Sequence, residues 1–353
     1  MLNITHAILH AFDFETGSRS ISAHELDMDE KLVKSYVRRH LRRCLASDQN
    51  MHGEFAENSG FAEELRLYLG HRTHFIELSQ QIAEFFWETL RKCDDLVQAD
   101  LLVVDFEQSA EAPKGDATDE EIDKSFSGEA TRHFAVILLP RSQTFMHSIE
   151  HPSGGAFNEI VRHDATLPNP SAKVNTYVIV DCKTMAIDYS DKMRTVAEAE
   201  VWIMQNLLLK CSREPSSREV MQTVESLVKE VAETGNVSVV QAVGQAKAAM
   251  AYSANVEERL EPAAIGRAVF EDEPRLQERY EERTREVELP EEVAVQPAAA
   301  RRLAKNHRIR TDTGVDITFP SEMTTNEDYL AFEHEQDGTV SIIIRNVRSI
   351  ENR

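Results

Sequence analysis

Two short apolar runs, LLVVDF at Leu101–Phe106 and HFAVILL at His133–Leu139, decide the fold class of this 353-residue chain. Both are rich in β-branched and aromatic residues and are bounded by turn residues, a pattern typical of strands. A third run, Thr144–Glu150, has the same character, and we expect the three to pair in one sheet. The segment 107–131 is acidic and lacks apolar periodicity, which predicts a mobile acidic loop.

Strand patterns also occur on both sides of this region. Residues Leu2–Phe14 alternate between apolar and other residues and reach a turn before a second extended stretch, Ser20–Leu26, which predicts a β-hairpin. The stretch Lys173–Tyr189 carries two apolar runs, YVIVD and MAIDY, around a polar centre, and predicts strand, turn and strand. Together these segments predict a mainly antiparallel sheet of about six strands.

Helical spacing of apolar residues recurs elsewhere in the chain. It predicts a first helix over Leu32–Ser47, a second over Thr73–Leu90, and helices within Arg194–Tyr252 and Val256–Arg285. A shorter helix, Phe61–Gly70, is expected to end at its glycine as a left-handed cap.

The order of these elements predicts an α+β protein with three parts. Residues 1–190 form a mixed α/β domain with a mainly antiparallel sheet, residues 191–290 a helical middle region, and residues 291–353 a linker and a small β-rich C-terminal module. The last part is expected to close with a hairpin between Tyr329–His334 and Val340–Ile344.

The charge balance limits what the chain can bind. Thirty-nine basic and sixty-one acidic residues give a formal net charge of −22, which repels phosphate at long range. Any contact with DNA must therefore be local. The same charge suits a protein partner with a basic surface.

Other composition features point to an ordinary cytoplasmic protein. The four cysteines stand far apart without C-x-x-C spacing, which predicts reduced thiols and argues against a zinc site. No apolar run reaches the ~18 residues that a membrane helix needs, and the first fourteen residues lack the order of a signal peptide.

An ordered set of motifs resembles one known family. The motifs are ITHAILH at 4–10, FIELSQQIA at 75–83, DLLVV at 100–104, HFAVILLP at 133–140, GVDITFP at 314–320 and DGTVSIIIRNV at 337–347. In this order they resemble the bacterial nucleoid-associated proteins often called the NdpA family, over nearly the whole chain. The resemblance implies association with the bacterial chromosome and DNA binding, and it supplies no catalytic residues.

Two basic strips are the candidate contacts for double-stranded DNA. The first lies on the first predicted helix, where stacking at i, i+4 and i+8 is expected to give a continuous row, and consists of Lys34, Arg38, Arg39, Arg42 and Arg43, with Lys31 before them. The second precedes the final strands and consists of Arg301, Arg302, Lys305, Arg308 and Arg310. The alternative interpretations are a solvated helix face and a salt-bridged connector between domains.

We therefore expect a nucleoid-associated protein that binds DNA without sequence preference, uses no cofactor or metal, and is not an enzyme. Apolar surface on the middle helices is expected to support a homodimer. The main alternative is an acidic adaptor recruited to the nucleoid by a DNA-bound protein. A further alternative is an enzyme whose site combines His133, Asp181 and Asp188.

Two pairs of histidines are candidates for metal ligands. His6 and His10 fall on one face of the first predicted strand, and His71 and His74 lie near the second long helix. The sequence contains no H-E-x-x-H motif, no G-x-S-x-G motif and no phosphate-binding glycine pattern. We therefore expect no metal at either pair.

Overall fold

The computed structural model describes residues 1–94, 98–109, 130–150, 157–295, 307–320, 323, 328–334 and 339–349. The chain forms two compact units, the first made of Met1–Ala46 with Asn50–Glu214 and the second of Ser47–Gln49 with Pro215–Arg353. The expected α+β class with a mainly antiparallel sheet is confirmed. The three-part division into residues 1–190, 191–290 and 291–353 stays a prediction.

The first unit is built on a seven-stranded sheet in which every neighbouring pair is antiparallel. In spatial order its strands are β2 (Ser18–Ser20), β1 (Leu2–Asp13), β4 (Ala99–Ser109), β5 (Ala130–Pro140), β8 (Tyr177–Asp181), β9 (Ile187–Ser190) and β3 (Met51–Gly53). The predicted N-terminal hairpin and the strand-turn-strand of Lys173–Tyr189 are both present, and β3 is the addition that makes seven.

The two central strands are longer than their apolar runs. β4 and β5 pair from Ala99 opposite Pro140 to Ser109 opposite Ala130, and β1 pairs along the other side of β4 as far as Gln108. The predicted loop over 107–131 was therefore wrong at both ends, because ladders on both sides of β4 extend the strand. Residues 110–129 lie outside the described residues.

Helices cover both faces of the sheet. Helix α1 (Lys31–Leu45) packs on one face, and α2 (Gly60–Leu69), α3 (Phe75–Leu90) and a π-helix (Ile203–Leu209) pack on the other. Residues of β4 alternate between the two cores, as strand geometry requires. Burial on both faces explains why the run LLVV is apolar without interruption.

Helix α2 ends differently from the prediction. Gly70 has a φ of −83°, and the following His71, with a φ of 57°, takes the left-handed conformation. The prediction of a left-handed cap at Gly70 was therefore wrong by one residue.

The third apolar run does not join the main sheet. Strand β6 (Ser142–Glu150) pairs with β7 (Phe157–Thr166) in a two-stranded sheet of its own. The expectation that it would pair with β4 and β5 was wrong, because β4 and β8 already occupy the two sides of β5.

The predicted helical region Arg194–Tyr252 was wrong at its start. Residues 193–202 form a hairpin, β10 (Met193–Val196) and β11 (Ala199–Trp202). Its two turn residues, Ala197 and Glu198, have φ values of 48° and 67°, as a tight hairpin turn requires. Helical structure begins only with the π-helix that follows.

The second unit contains the predicted middle helices. They are α4 (Ser217–Gly235), α5 (Val239–Val256), α6 (Pro262–Val269) and α7 (Pro274–Glu286), with a short pair β12 (Arg259–Leu260) and β13 (Val293–Ala294). Ser216 and Glu219 form a capping box at the start of α4. The helices bury most of their apolar side chains against one another, so this surface is largely used inside the unit.

Two hairpins form the C-terminal part of the second unit. They are β14 (His307–Arg310) with β15 (Asp316–Phe319), and β16 (Leu330–His334) with β17 (Val340–Ile344). Phe319, Leu330 and Phe332 make a small core, against which Val240 of α5 also packs. The predicted final hairpin is confirmed.

Because His10 is buried, we expect acid to lower the stability of the first unit. It is fully buried on β1, its Nδ1 accepts the Ser22 N–H at 3.1 Å, and burial lowers its pKa to about 4. Between pH 6.5 and 4 the unfolded chain binds a proton that the folded chain does not, so stability falls as the pH falls through this window. We expect His10 to remove about 2 kcal/mol of unfolding free energy between pH 7 and pH 5.

Urea unfolding at pH 7 and pH 5 measures this effect. In His10→Gln the loss of stability between the two pH values should be smaller by that amount, whereas His6→Gln, at a half-buried position of the same strand, should keep the wild-type loss. An unchanged loss in His10→Gln would show that the ring is not held neutral.

Candidate nucleic-acid interface

The first basic strip lies on α1, which turns its apolar side chains to the sheet. Val37, Leu41 and Cys44 are buried against that face. Because the helix repeats every 3.6 residues, the opposite face points away from the sheet. The basic side chains exposed there are Lys31, Arg39, Arg42 and Arg43.

Arg38 is not part of this exposed face. Its side chain is only 1% exposed, and Lys34 is half-buried. The expected continuous row of Lys34, Arg38 and Arg42 was therefore wrong, because i, i+4 and i+8 drift around the helix and Arg38 falls beside the buried stripe. Burial and then the nearby Arg42 and Arg38 lower the pKa of the Met1 amino group, which places both guanidinium groups near the start of β1.

The three exposed arginines form one compact group. Arg39 and Arg42 are three residues apart, and Arg39 and Arg43 four, so they occupy neighbouring turns of one face. Within the described part of the chain, none of the three is ion-paired with a carboxylate. We call Arg39, Arg42 and Arg43 the α1 arginine cluster.

Helix stability explains part of this charge. Arg42 and Arg43 lie in the last turn of α1, where cations interact favourably with the negative end of the helix dipole, by about 0.3–1 kcal/mol each. Arg39 lies outside that turn, and Lys31 stands at the opposite end, where a cation is unfavourable. The dipole alone therefore does not account for the basic face.

Two side chains of α1, Tyr36 and His40, position the helix and carry no charge. The Tyr36 hydroxyl donates to the Pro168 carbonyl oxygen at 2.9 Å, and burial, with Asp100 nearby, raises its pKa to about 12. Burial, with Arg43 as a further cause, lowers the pKa of His40. Both side chains stay uncharged near neutral pH, so they position the helix without adding to its charge.

The second basic strip is described only in part. Arg301, Arg302 and Lys305 lie outside the described residues. Arg308 and Arg310 are exposed on β14, and Arg308 reaches across to Asp316 on β15 at 3.0 Å. This ion pair within one hairpin neutralises Arg308. The expected contact of this second strip with DNA stays a prediction.

The structure brings the three residues of the enzyme alternative onto one face of the sheet. His133 and Asp181 are opposite each other in the register of β5 and β8, and Asp188 lies on the next strand, β9. Burial lowers the pKa of His133, and Asp181 and Asp188 oppose this shift. The side chain also stacks on Phe106, with ring centroids 5.3 Å apart.

Sequence reasoning missed a fourth member of this row. His52 of β3 is opposite Asp188, and its Nδ1 lies 2.6 Å from a carboxylate oxygen of that residue. The hydrogen bond to Asp188 raises the pKa of His52. β3 has only three residues, too few for a period to be seen, so no pattern pointed to it. Chemically, the pair can exchange a proton, and it fastens an edge strand to the sheet.

The histidine pairs considered for metal do not converge. His6 lies 2.9 Å from a carboxylate oxygen of Glu25, whereas His10 accepts from the backbone. Among the described residues, no group of three or more His, Cys, Asp or Glu side chains is arranged to hold a metal ion. The four cysteines form no disulfide.

No helix among the described residues is both long and apolar enough to cross a membrane.

The chain is thus a two-unit α+β protein with an exposed arginine cluster on an acidic background. The family model described as NA37, nucleoid-associated protein YejK, matches residues 8–351, and the chain belongs to this family of nucleoid-associated proteins. The expected resemblance is thereby confirmed. Comparisons with curated proteins and with solved structures found no match.

Proposed function

We propose that this protein binds double-stranded DNA directly, without sequence preference, through the α1 arginine cluster. The observation that carries the proposal is that Arg39, Arg42 and Arg43 are exposed, adjacent and not ion-paired within the described residues, in a chain of net charge −22. An acidic protein is not attracted to DNA at long range, so contact with phosphates requires a local surface on which cationic side chains are concentrated. Membership of a nucleoid-associated family supports this proposal.

The expected affinity is modest. Three arginines on neighbouring helical turns reach about three phosphates, so we expect a Kd at or above about 10⁻⁴ M, the weak end of the range typical of non-specific DNA binding. Phosphate contacts fix position and carry no base information. The proposal therefore includes sequence tolerance, and it assigns neither a cofactor nor a catalytic step.

An acidic adaptor is the second candidate function. The net charge of −22 favours it, because a basic, DNA-bound protein would be attracted to most of the surface of this chain. In that case the arginine cluster would be a solvated helix face, and the protein would reach the nucleoid through its partner.

Binding of the purified protein to naked duplexes separates the two functions. We expect two fluorescent duplexes of equal length, one AT-rich and one GC-rich, to bind with Kd values within about threefold of each other. Anisotropy at low salt measures both. If neither duplex binds, direct DNA contact is wrong and the adaptor is favoured; if one binds far more tightly, sequence tolerance is wrong.

A further inference from the structure

The first unit contains a small cavity between α2, α3 and the π-helix. Its volume is about 230 Å³. Most of its lining is apolar, and the apolar side chains are Phe61, Leu78, Ile82, Phe85, Leu207 and Leu208. A mostly apolar concave surface with a few polar groups is the usual form of a small-molecule site. We call it the α2–α3 cavity.

Two opposite charges line the same cavity. Glu64 of α2 is half-buried, and Lys210, directly after the π-helix, is exposed. Within the described part of the chain, neither residue forms an ion pair, either with the other or with a third residue. Gln81 of α3 adds an exposed amide. One carboxylate and one ammonium group are therefore available to a ligand.

The backbone that carries Lys210 is held in an unusual conformation. A π-helix is rare and is frequently found at functional sites. Asp191 accepts the Met204 N–H at 2.6 Å near the start of this helix. Lys210 follows its end with a φ of 49°, in the left-handed region that is unfavourable for a lysine. The Ala56 N–H donates to the Lys210 carbonyl oxygen at 2.8 Å, so contacts from outside the helix fix the position of Lys210.

The size and the charges of the cavity together indicate a class of ligand. An apolar cavity of about 150 Å³ holds a benzene molecule, so the α2–α3 cavity has room for the side chain of leucine or phenylalanine. Lys210 offers a partner to a carboxylate, and Glu64 offers one to an ammonium group. An α-amino acid joins an apolar side chain to one charge of each sign, and both charges are present near neutral pH.

Other classes of ligand match the cavity less well. A polyanion finds no net positive charge there, because the carboxylate of Glu64 offsets the ammonium group of Lys210. An uncharged apolar molecule fills the cavity but pairs with neither side chain. A fatty acid pairs with Lys210 and leaves Glu64 without a partner.

We propose that the α2–α3 cavity binds a free α-amino acid with an apolar side chain. The side chain of the ligand packs among the apolar residues of the cavity, its carboxylate pairs with Lys210, and its ammonium group pairs with Glu64. The inference stands apart from the proposed DNA binding, since α1 and the cavity lie on opposite faces of the sheet. A protein that does not bind DNA can still bind the amino acid.

Titration of the full chain with L-leucine and L-phenylalanine, followed by ligand-observed NMR, tests the proposal. We expect at least one of them to bind with a Kd on the order of 0.1–1 mM, as suits a ligand of about ten heavy atoms. Glycine carries both charges but no apolar side chain, and it is expected to bind at least about tenfold more weakly. The proposal is wrong if neither amino acid binds up to about 10 mM, or if glycine binds as well as they do.

Two analogues of leucine test the two charged contacts separately. Leucinamide lacks the carboxylate, and isocaproate lacks the ammonium group. Lys210→Gln is expected to weaken L-leucine by about fivefold to tenfold and to leave leucinamide unchanged. Glu64→Gln is expected to weaken L-leucine and leucinamide but not isocaproate. If a variant weakens all three ligands alike, the residue it replaces does not make the contact assigned to it, and the proposal is wrong.

The control variants remove the same charges elsewhere in the first unit. Glu77 and Lys192 are exposed and do not line the cavity. Glu77→Gln and Lys192→Gln are expected to keep the wild-type affinity for L-leucine. A loss in these controls equal to the loss in Glu64→Gln and Lys210→Gln would place the ligand outside the α2–α3 cavity.

Discussion

Replacing Arg39, Arg42 and Arg43 together by glutamate is expected to weaken binding to a non-specific duplex by at least about 100-fold near 0.1 M salt. Each phosphate contact releases close to one counterion, so each contributes a little under tenfold in affinity at that salt concentration. Losing three contacts gives a loss of several hundredfold. The new carboxylates repel the same phosphates and add to the loss.

A matched variant separates the local surface from net charge. Arg275, Arg279 and Arg285 are three exposed arginines on α7, and replacing them by glutamate changes the net charge by the same six units as the α1 variant. Anisotropy titrations should show a small loss for the α7 variant and the large loss for the α1 variant. Equal losses would mean that only the overall charge matters, and no loss in either variant would exclude α1 as the contact.

Asp105→Ala is expected to destabilise the first unit by about 3 kcal/mol. Asp105 is fully buried in β4, where it accepts from Arg132 Nε at 3.0 Å and from the Tyr68 hydroxyl at 2.5 Å. Its carboxylate raises the pKa of Arg132, so the pair is a charged one. Removing the carboxylate leaves a guanidinium and a hydroxyl without their acceptor. Because the Arg132 side chain is 36% exposed, water offsets part of the cost.

Urea unfolding followed by tryptophan emission measures the stability of the first unit. Both tryptophans, Trp87 and Trp202, lie in the first unit. Tyr68→Phe keeps the ion pair and removes only the hydroxyl, which donates to Asp105 and accepts from Arg132 Nη2 at 3.2 Å, and it should cost about 1–2 kcal/mol. An Asp105→Ala protein as stable as Tyr68→Phe would show that the ion pair contributes nothing beyond the hydrogen bonds of the Tyr68 hydroxyl.

The central strands and α1 were predictable because local pattern and tertiary context agree there. The runs LLVVDF and HFAVILL are buried on both faces of the sheet. Their side chains are therefore apolar whichever strands pair beside them. In contrast, β6 has a strand pattern of the same quality but pairs only with β7. The residue pattern of a segment predicts that it is a strand. Which sheet that strand joins depends on which neighbouring strands still have an unpaired edge.

The candidate site was predictable at the level of the helix but not of each side chain. Spacing identified a basic α1, yet it did not show that Arg38 lies on the buried side, because that depends on where the helix rests on the sheet. His52 joined His133, Asp181 and Asp188 through the pairing of a three-residue strand. Contacts that arise from such long-range pairing leave no local signal in the sequence.

The salt dependence of binding to one non-specific duplex tests direct DNA contact most simply. For about three phosphates neutralised by the α1 arginine cluster, the logarithm of the association constant should fall linearly with the logarithm of salt concentration, with a slope of about −2.7. Absence of binding even at low salt, or a slope near zero, would contradict direct contact through α1.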